Sequence, residues 1–296
     1  MFLGINSMTR SIICPDDVTE RQVVLSAYYI TIPRDTLKDD ADIQSLLDTT
    51  DFCPGPGQFL ITGNLPHAGI FFMLFFTEKL RGEAGVWDRT AKIEDVEKEF
   101  SSFHETYLKA LRHASDKDCL VWRASDLPTL PTWRSPSGKV LILGDAAHAI
   151  LPTGAQGAAM AVEDSAALVE CIGRATHQSD IPKVLEAFET IRKPRTDFMQ
   201  RFARSRKAMF CMPDGPDQEK RDSMMKVLFQ PEWNGEPIND PPALGTPLQE
   251  HYVRSYDVIK DVRFTSFCKL LILIIFQTNL KLNDILFHAP NSELKF

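Results

Sequence analysis

The stretch Gly138 to Leu168, GKVLILGDAAHAILPTGAQGAAMAVEDSAAL, constrains the chain more than any other. An apolar run, Val140 to Leu143, delivers an aspartate, Asp145, into a loop of small residues. The loop opens onto an alanine-rich segment. A continuous apolar run of this kind is typical of a parallel strand buried on both faces. Ligands of open α/β sheets sit beyond the carboxyl ends of such strands, and this reading places Asp145 there. A carboxylate at that point can accept hydrogen bonds from the hydroxyls of a sugar or polyol chain. Gly154 and Gly157 let the backbone approach a ligand closely. A helix starting near Ala155 turns free N–H groups and its positive end toward that ligand. Such an end favours a phosphate, or a ring carbonyl that takes on negative charge. The same residues also fit an ordinary turn followed by a close-packed helix, and spacing alone leaves both readings open.

The other residues with chemical potential carry weaker signals. His148 could act with Asp145 on a metal or a proton, but a single histidine among alanines fits a core or turn position better. Glu163 and Asp164 are adjacent, so they point to different helix faces and form no paired-carboxylate site. No G-x-S-x-G elbow and no H-E-x-x-H motif occurs.

The remaining segments predict a sheet with helices on one side. Residues 22–32, ending at Pro33, read as a strand, as do 58–62, 69–77 and 120–123. Pro54 to Gly57 is a turn cluster, and a second turn is expected at Asn64 to His67. A short helix is expected over 35–47. A longer one is expected over 93–113, with Val96, Phe100, Phe103, Tyr107 and Leu111 on one stripe. The proline-rich DLPTLPTW is an extended connector. Asp180 is a candidate N-cap with Pro182 in the first turn, and Pro194 is expected to break or kink the helix that follows. Residues 212–219 read as a turn-rich loop. The strand GIFFMLFF suits either plain sheet core or the wall of an aromatic pocket.

Charge narrows the partners. The chain carries 33 Lys and Arg against 40 Asp and Glu, a net charge of −7, whereas nucleic acid demands a basic face. The one basic cluster, RFARSRK at 201–207, has the spacing of a solvated helix face. Six cysteines are scattered without C-x-x-C pairs, which fits buried free thiols in a reducing, cytoplasmic setting. The apolar run Leu270 to Phe276 is far shorter than the ~20 residues a spanning helix needs, so no stable membrane insertion is expected. Oligomeric state is not legible.

The opening stretch resembles the second FAD motif of the single-component flavin aromatic monooxygenases, the salicylate hydroxylase-like group common in fungi. LPTLPTWRSPSGKV resembles the lead-in to that motif. FETIRKPRTDFMQRFARSRKAMFCMPDGPDQEKRD and SYDVIKDV resemble the group's C-terminal helices. Residues 4–262 fall within the resemblance. It implies that Asp145 holds the ribitol hydroxyls of FAD and that Pro152 lies near the reactive face of the flavin. Backbone N–H groups around Gly157 to Ala159 would face the pyrimidine end. Gly154, Gln156, Gly157, Ala158 and Ala159 line the same cofactor-binding loop, with Arg10 from a second motif. Some relatives carry Asn at the Ala159 position, which leaves the backbone donor intact. The implied activity is hydroxylation of an aromatic or related small molecule, with NAD(P)H as reductant and O₂ as oxygen source. No catalytic base is marked by spacing.

Two departures qualify these expectations. No G-x-G-x-x-G opens a helix after a strand, and Gly4-Ile5-Asn6-Ser7-Met8-Thr9-Arg10 matches a D-G-x-x-S-x-x-R motif with Leu3 in the aspartate's place. The expected architecture is therefore a mixed α/β, partial FAD- and NAD(P)-binding monooxygenase fold lacking its N-terminal βαβ unit. Its expected parts are the motif remnant with the substrate-side sheet at 1–134, the FAD-binding segment at 135–175, C-terminal helices at 176–262 and an atypical tail at 263–296. A chain holding only the flavin side should bind FAD weakly or not at all and show no hydroxylase activity. The alternatives are a non-catalytic remnant that binds no FAD, or another FAD-dependent oxidoreductase. A halogenase would want a W-x-W-x-I-P-type motif, which is absent.

Overall fold

The computed structural model describes residues 4–15, 22–83, 86, 89–228, 239–242, 244 and 248–263. Leu3, Cys268, the run Leu270 to Phe276 and the rest of the tail from residue 264 lie outside the described residues. A single antiparallel sheet of five strands organises the first half, in the order β2-β3-β4-β1-β5. The strands are β1 (Gln22–Pro33), β2 (Phe52–Gly55), β3 (Gln58–Leu65), β4 (Ile70–Thr77) and β5 (Cys119–Asp126). The β2–β3 hairpin closes on Pro56-Gly57. Proline fixes the first turn position and Gly57, at φ 67°, supplies the left-handed second one.

The helices are α1 (Met8–Ile13), α2 (Ala41–Gln44), α3 (Ile93–Glu99), α4 (Glu105–Leu111), α5 (Asp145–His148), α6 (Gly157–Ile172), α7 (Ile181–Phe210), α8 (Pro216–Leu228) and α9 (Leu248–Ser255). Helices α2, α3 and α4 cover one face of the sheet. There Tyr28, Ile30, Phe71, Met73 and Phe75 meet Val96, Phe100 and Leu111 in a closed core. On the opposite face Leu25, Ala27, Phe59 and Phe76 pack on Phe210 at the end of α7. That face is covered only in part, since Phe72, Leu74 and Trp122 are half-buried.

Several expectations are corrected. Val140 to Leu143 is not a buried parallel strand. The run is extended but joins the sheet nowhere, making one isolated antiparallel bridge, Arg134 to Leu141. Ile142 is buried while Val140 is 45% exposed. The expected helix over 93–113 is two, α3 and α4, because Ser101 and Ser102 interrupt it and His104 caps the second. The apolar stripe survives the break: Val96, Phe100 and Leu111 remain in one core, with Phe103 and Tyr107 packed against it. The segment 35–47 is likewise divided into a 3-10 turn, α2 and a second 3-10 turn.

Pro194 does not end its helix, and α7 runs on to Phe210. Its buried stripe continues across the proline, from Phe188 and Ile191 to Phe198 and Phe202, so packing outweighs the missing hydrogen bond. Asp180 stands at the N-cap of α7 with Pro182 in the first turn, as expected, but its side chain serves the preceding turn, accepting from the N–H groups of Thr176 and His177 at 3.0 and 2.9 Å. Residues 216–219 belong to α8 rather than to a loop, with Pro216 opening the helix.

The basic cluster is not simply solvated. Arg204 pairs with Asp126, Arg206 with Glu250 and Lys207 with Glu78. These contacts tie α7 to the sheet and to α9. The described cysteines are free, and all but the half-buried Cys53 are buried. No helix among the described residues is long and apolar enough to cross a membrane.

Candidate functional site

The site is built around α5, a single helical turn. Gly144 precedes it at φ 59° and ψ −146°, a conformation open to glycine and costly for other residues. Its carbonyl accepts from the N–H groups of Ala147 and His148, both at 2.9 Å. Ala146, Ala147 and His148 are buried while Asp145 is exposed, so the turn directs one carboxylate outward from an apolar seat. Sequence reasoning put Asp145 in a loop past a strand. It instead opens a helical turn past a run that pairs only with residues 133–135 among the described residues.

The N-terminal segment lies against this turn. Arg10 is 4% exposed. It donates to the carbonyls of Ala146 and Ile5 at 3.1 and 2.6 Å. A Cβ at Gly4 would stand 3.9 Å from the Asp145 Cβ. Arg10 and Asp145, far apart in sequence, are therefore brought together. Arg10 reaches the backbone of the turn and does not itself face outward. The Oδ1 of Asn6, in the same segment, is buried without a partner among the described residues.

The loop after α5 leads into α6. Pro152 is exposed, and Thr153 beneath it donates to the Ala203 carbonyl at 2.6 Å. Gly154 is buried, and a Cβ there would come within 3.1 Å of the Ala203 Cβ. Glycine there lets the loop pack closely on α7. Ala155 is the one non-glycine residue with positive φ, 51°, among the described residues. The helix starts at Gly157, close to the expected start near Ala155, and Gln156 at the N-cap makes no side-chain cap. The N–H groups of Gly157, Ala158 and Ala159 are the first of the helix and have no carbonyl four residues back within it. A Cβ at Gly157 would meet nothing within 4 Å, so no contact within the described residues calls for glycine there.

An ion-pair network beneath the turn escaped the sequence reading. The Nε2 of His148 lies 2.7 Å from Oδ2 of Asp164, and the N–H of Gly144 donates to the same oxygen at 2.9 Å. Arg192 donates from Nε to Oδ1 of Asp164 at 2.9 Å and pairs with Glu163 at 2.8 Å. Glu163 also meets Arg195 at 3.1 Å. The side chains of Asp164 and Arg192 are fully buried. Burial alone would raise the Asp164 carboxyl. The His148 hydrogen bond and charge, with Arg192 and the Gly144 N–H, hold it below its ordinary value. Adjacent on the helix, Glu163 and Asp164 nonetheless converge on one guanidinium. His148 partners Asp164, not Asp145.

One signal could have revealed this. Asp164 shares a helical phase with the buried Met160, Ala167 and Cys171, and Arg192 shares one with Phe188, Met199 and Phe202. A charge on each buried stripe calls for a partner across the interface.

The arrangement fits the flavin side of FAD. It offers an exposed carboxylate for hydroxyl groups, an uncapped helix end for a ring carbonyl, and open space where a Cβ would stand. Comparison with known proteins points to an FAD-binding family. A sequence family described as FAD binding domain matches residues 48–203. The FAD-dependent monooxygenase OpS4 of Beauveria bassiana is 30% identical over 232 residues, covering 77% of this chain and 54% of that protein. The chain thus spans about half the length of the curated relatives it matches. A salicylate hydroxylase substrate complex superposes with a TM-score of 0.72 at 21% identity, over 88% of this chain and 62% of that one. The protein CtdE, in complex with FAD and a substrate, gives 0.70 at 18% identity, over 90% and 62%. At these identities the structures show the fold, a mixed α/β architecture with an antiparallel sheet. The sequence match extends over more than half the chain, and the chain belongs to the FAD-binding-domain family of FAD-dependent monooxygenases.

Proposed function

We propose that this chain holds the flavin side of FAD for the NAD(P)H-dependent oxygenation of an aromatic or related small molecule. The observation that carries the reading is the uncapped N-terminus of α6 with open space at Gly157, on the helix that also anchors the Asp145 turn. Asp145 accepts hydrogen bonds from the ribityl hydroxyls. The N–H groups of Gly157 to Ala159 donate to the pyrimidine end, where the helix dipole favours negative charge. Gln156 and Pro152 border the ring, Gly154 and Thr153 fix the loop on α7, and Arg10 steadies the Asp145 turn. Bound FAD supplies the electron transfer and oxygen activation.

The parts of the chain then divide their labour. Residues 135–175 are the flavin-binding segment, and the sheet before residue 135 is the substrate side. Met73 and Phe75 of β4 are core, whereas the half-buried Phe72 and Leu74 on the opposite face suit an aromatic substrate and exclude water from it. The oxygenation is tested by supplying the chain with FAD, NADH or NADPH, ¹⁸O₂ and a panel of phenols and hydroxybenzoates. Incorporation of ¹⁸O into product supports the activity. Flavin binding without incorporation supports a second reading, a flavin-holding unit without turnover. That reading is favoured by the lack of sheet neighbours for Val140 to Leu143 among the described residues.

A further inference from the structure

The turn Gly144 to His148 cannot set its own direction. One helical turn is unstable alone, and its outward residue, Asp145, has no apolar anchor. Ala146 and Ala147 seat it in the core and Arg10 holds the Ala146 carbonyl at 3.1 Å, which fixes its middle and leaves its ends to a second grip. Both ends are held by a single atom: Oδ2 of Asp164 accepts from the Gly144 N–H at 2.9 Å and meets His148 Nε2 at 2.7 Å. Rotating the turn about its axis breaks one contact or the other. The carboxylate cannot follow, because Arg192 holds its second oxygen at 2.9 Å and the group is fully buried.

We propose that Asp164 is a positioning residue that, through Gly144 and His148, sets the direction in which Asp145 meets the flavin. The proposal rests on the reading of Asp145 as a ribityl ligand. Asp164 stands on α6 itself, so one rigid helix carries both the open N–H groups at Gly157 to Ala159 and the carboxylate that aims Asp145. With a rise of ~1.5 Å per residue, the two features are about 10 Å apart along the axis. Their spacing is as fixed as the helix. Buried ion pairs are seldom more stable than apolar packing of the same shape. Placing one here serves geometry, since a leucine could fill the space but could not grip two donors.

The test uses the full chain and two substitutions at the donor. His148→Leu removes the ring donor, and His148→Gln restores an N–H at a similar reach. Amide hydrogen exchange is read at residues 144–148 without flavin, and riboflavin affinity is read by fluorescence quenching. His148→Leu should speed exchange in the turn at least tenfold and weaken riboflavin about tenfold. The interior amides of α6 and α7 should stay within twofold, and His148→Gln should return both readouts toward wild type. Should His148→Leu fail to fold, His148→Phe, which keeps a ring but offers no donor to Asp164, carries the same expectation.

An unchanged turn overturns the proposal. So does loosening of α6 and α7 in step with the turn, which would make Asp164 a general stabiliser. A loosened turn with unaltered riboflavin affinity also overturns it. If the wild-type chain takes up no riboflavin, the ligand reading of Asp145 falls, and the exchange result alone decides whether Asp164 holds the turn.

Discussion

Replacing Gly157 by alanine should stabilise the protein and damage its flavin site at once. Gly157 is the first residue of α6 and no φ constraint binds it there. A Cβ at that position meets nothing within 4 Å, so the substitution adds helix propensity without a clash. The gain is about 0.5–1 kcal/mol. For a chain of this size it corresponds to a melting temperature higher by about 1–4 °C. The same methyl group enters the space through which a ring reaches the N–H groups of residues 157–159. Losing one hydrogen bond of that kind costs about 1.5 kcal/mol, roughly tenfold in affinity. Gly154→Ala, three residues earlier, is the control. Its Cβ would come within 3.1 Å of Ala203, and overpacking there should destabilise by about 1–3 kcal/mol. Thermal melts without ligand and riboflavin titrations of both variants read the two effects. A lower melting temperature for Gly157→Ala, or unaltered riboflavin affinity, would refute the claim that this glycine is kept for a ligand.

Three further outcomes are expected. Arg192→Leu leaves the buried Asp164 without its main counter-charge and should lower stability by about 3–5 kcal/mol in urea melts. Stability should also depend on Asp164 in acid. Its folded-state value lies below the ordinary one, so its contribution is full above the unfolded value and is lost as pH falls through the folded value. Asp164→Asn should therefore flatten the loss of stability below about pH 4, measured by pH-dependent denaturation. Burial pushes the thiols of Cys119 and Cys211 up to about 12. Site-resolved mass spectrometry after iodoacetamide at neutral pH should find both unlabelled in the native chain, with the half-buried Cys53 reacting ahead of them.

Local chemistry made most of the sheet legible. The β-branched and aromatic runs at 22–32, 58–62 and 69–77 overlap the strands found at 22–33, 58–65 and 70–77, although β3 runs on through Asn64 and Leu65, where a turn was expected. Their antiparallel order was not legible, because pairing is a long-range property. The run VLIL misled for the same reason: apolar composition says that a strand would be buried, not that neighbours exist to pair with it. At Pro194 a local rule predicts a break or a kink; the helix does not break, because phenylalanines on both sides dock α7 on the core. At the site, Asp145 and the glycine-rich loop were visible as a motif. The helix start was legible to within two residues, whereas the packing of Gly154 on α7 and the grip of Asp164 on the turn were not. They depend on α6, α7 and the N-terminal segment meeting in space.

The most direct measurement is a flavin titration of the wild-type chain and of Asp145→Ala, followed by quenching of flavin fluorescence with FAD and riboflavin in parallel. The account predicts weak, saturable binding by the wild type. FAD and riboflavin should fall within about tenfold of each other, because the contacts assigned here reach only the flavin side. Asp145→Ala removes hydrogen bonds to a charged acceptor worth about 1.5–3 kcal/mol, so its affinity should drop about tenfold to a hundredfold. Its melting temperature should stay near wild type, since the Asp145 side chain is exposed. No saturable binding by the wild type, or equal affinity in the variant, would contradict the assignment of this loop and turn to the flavin.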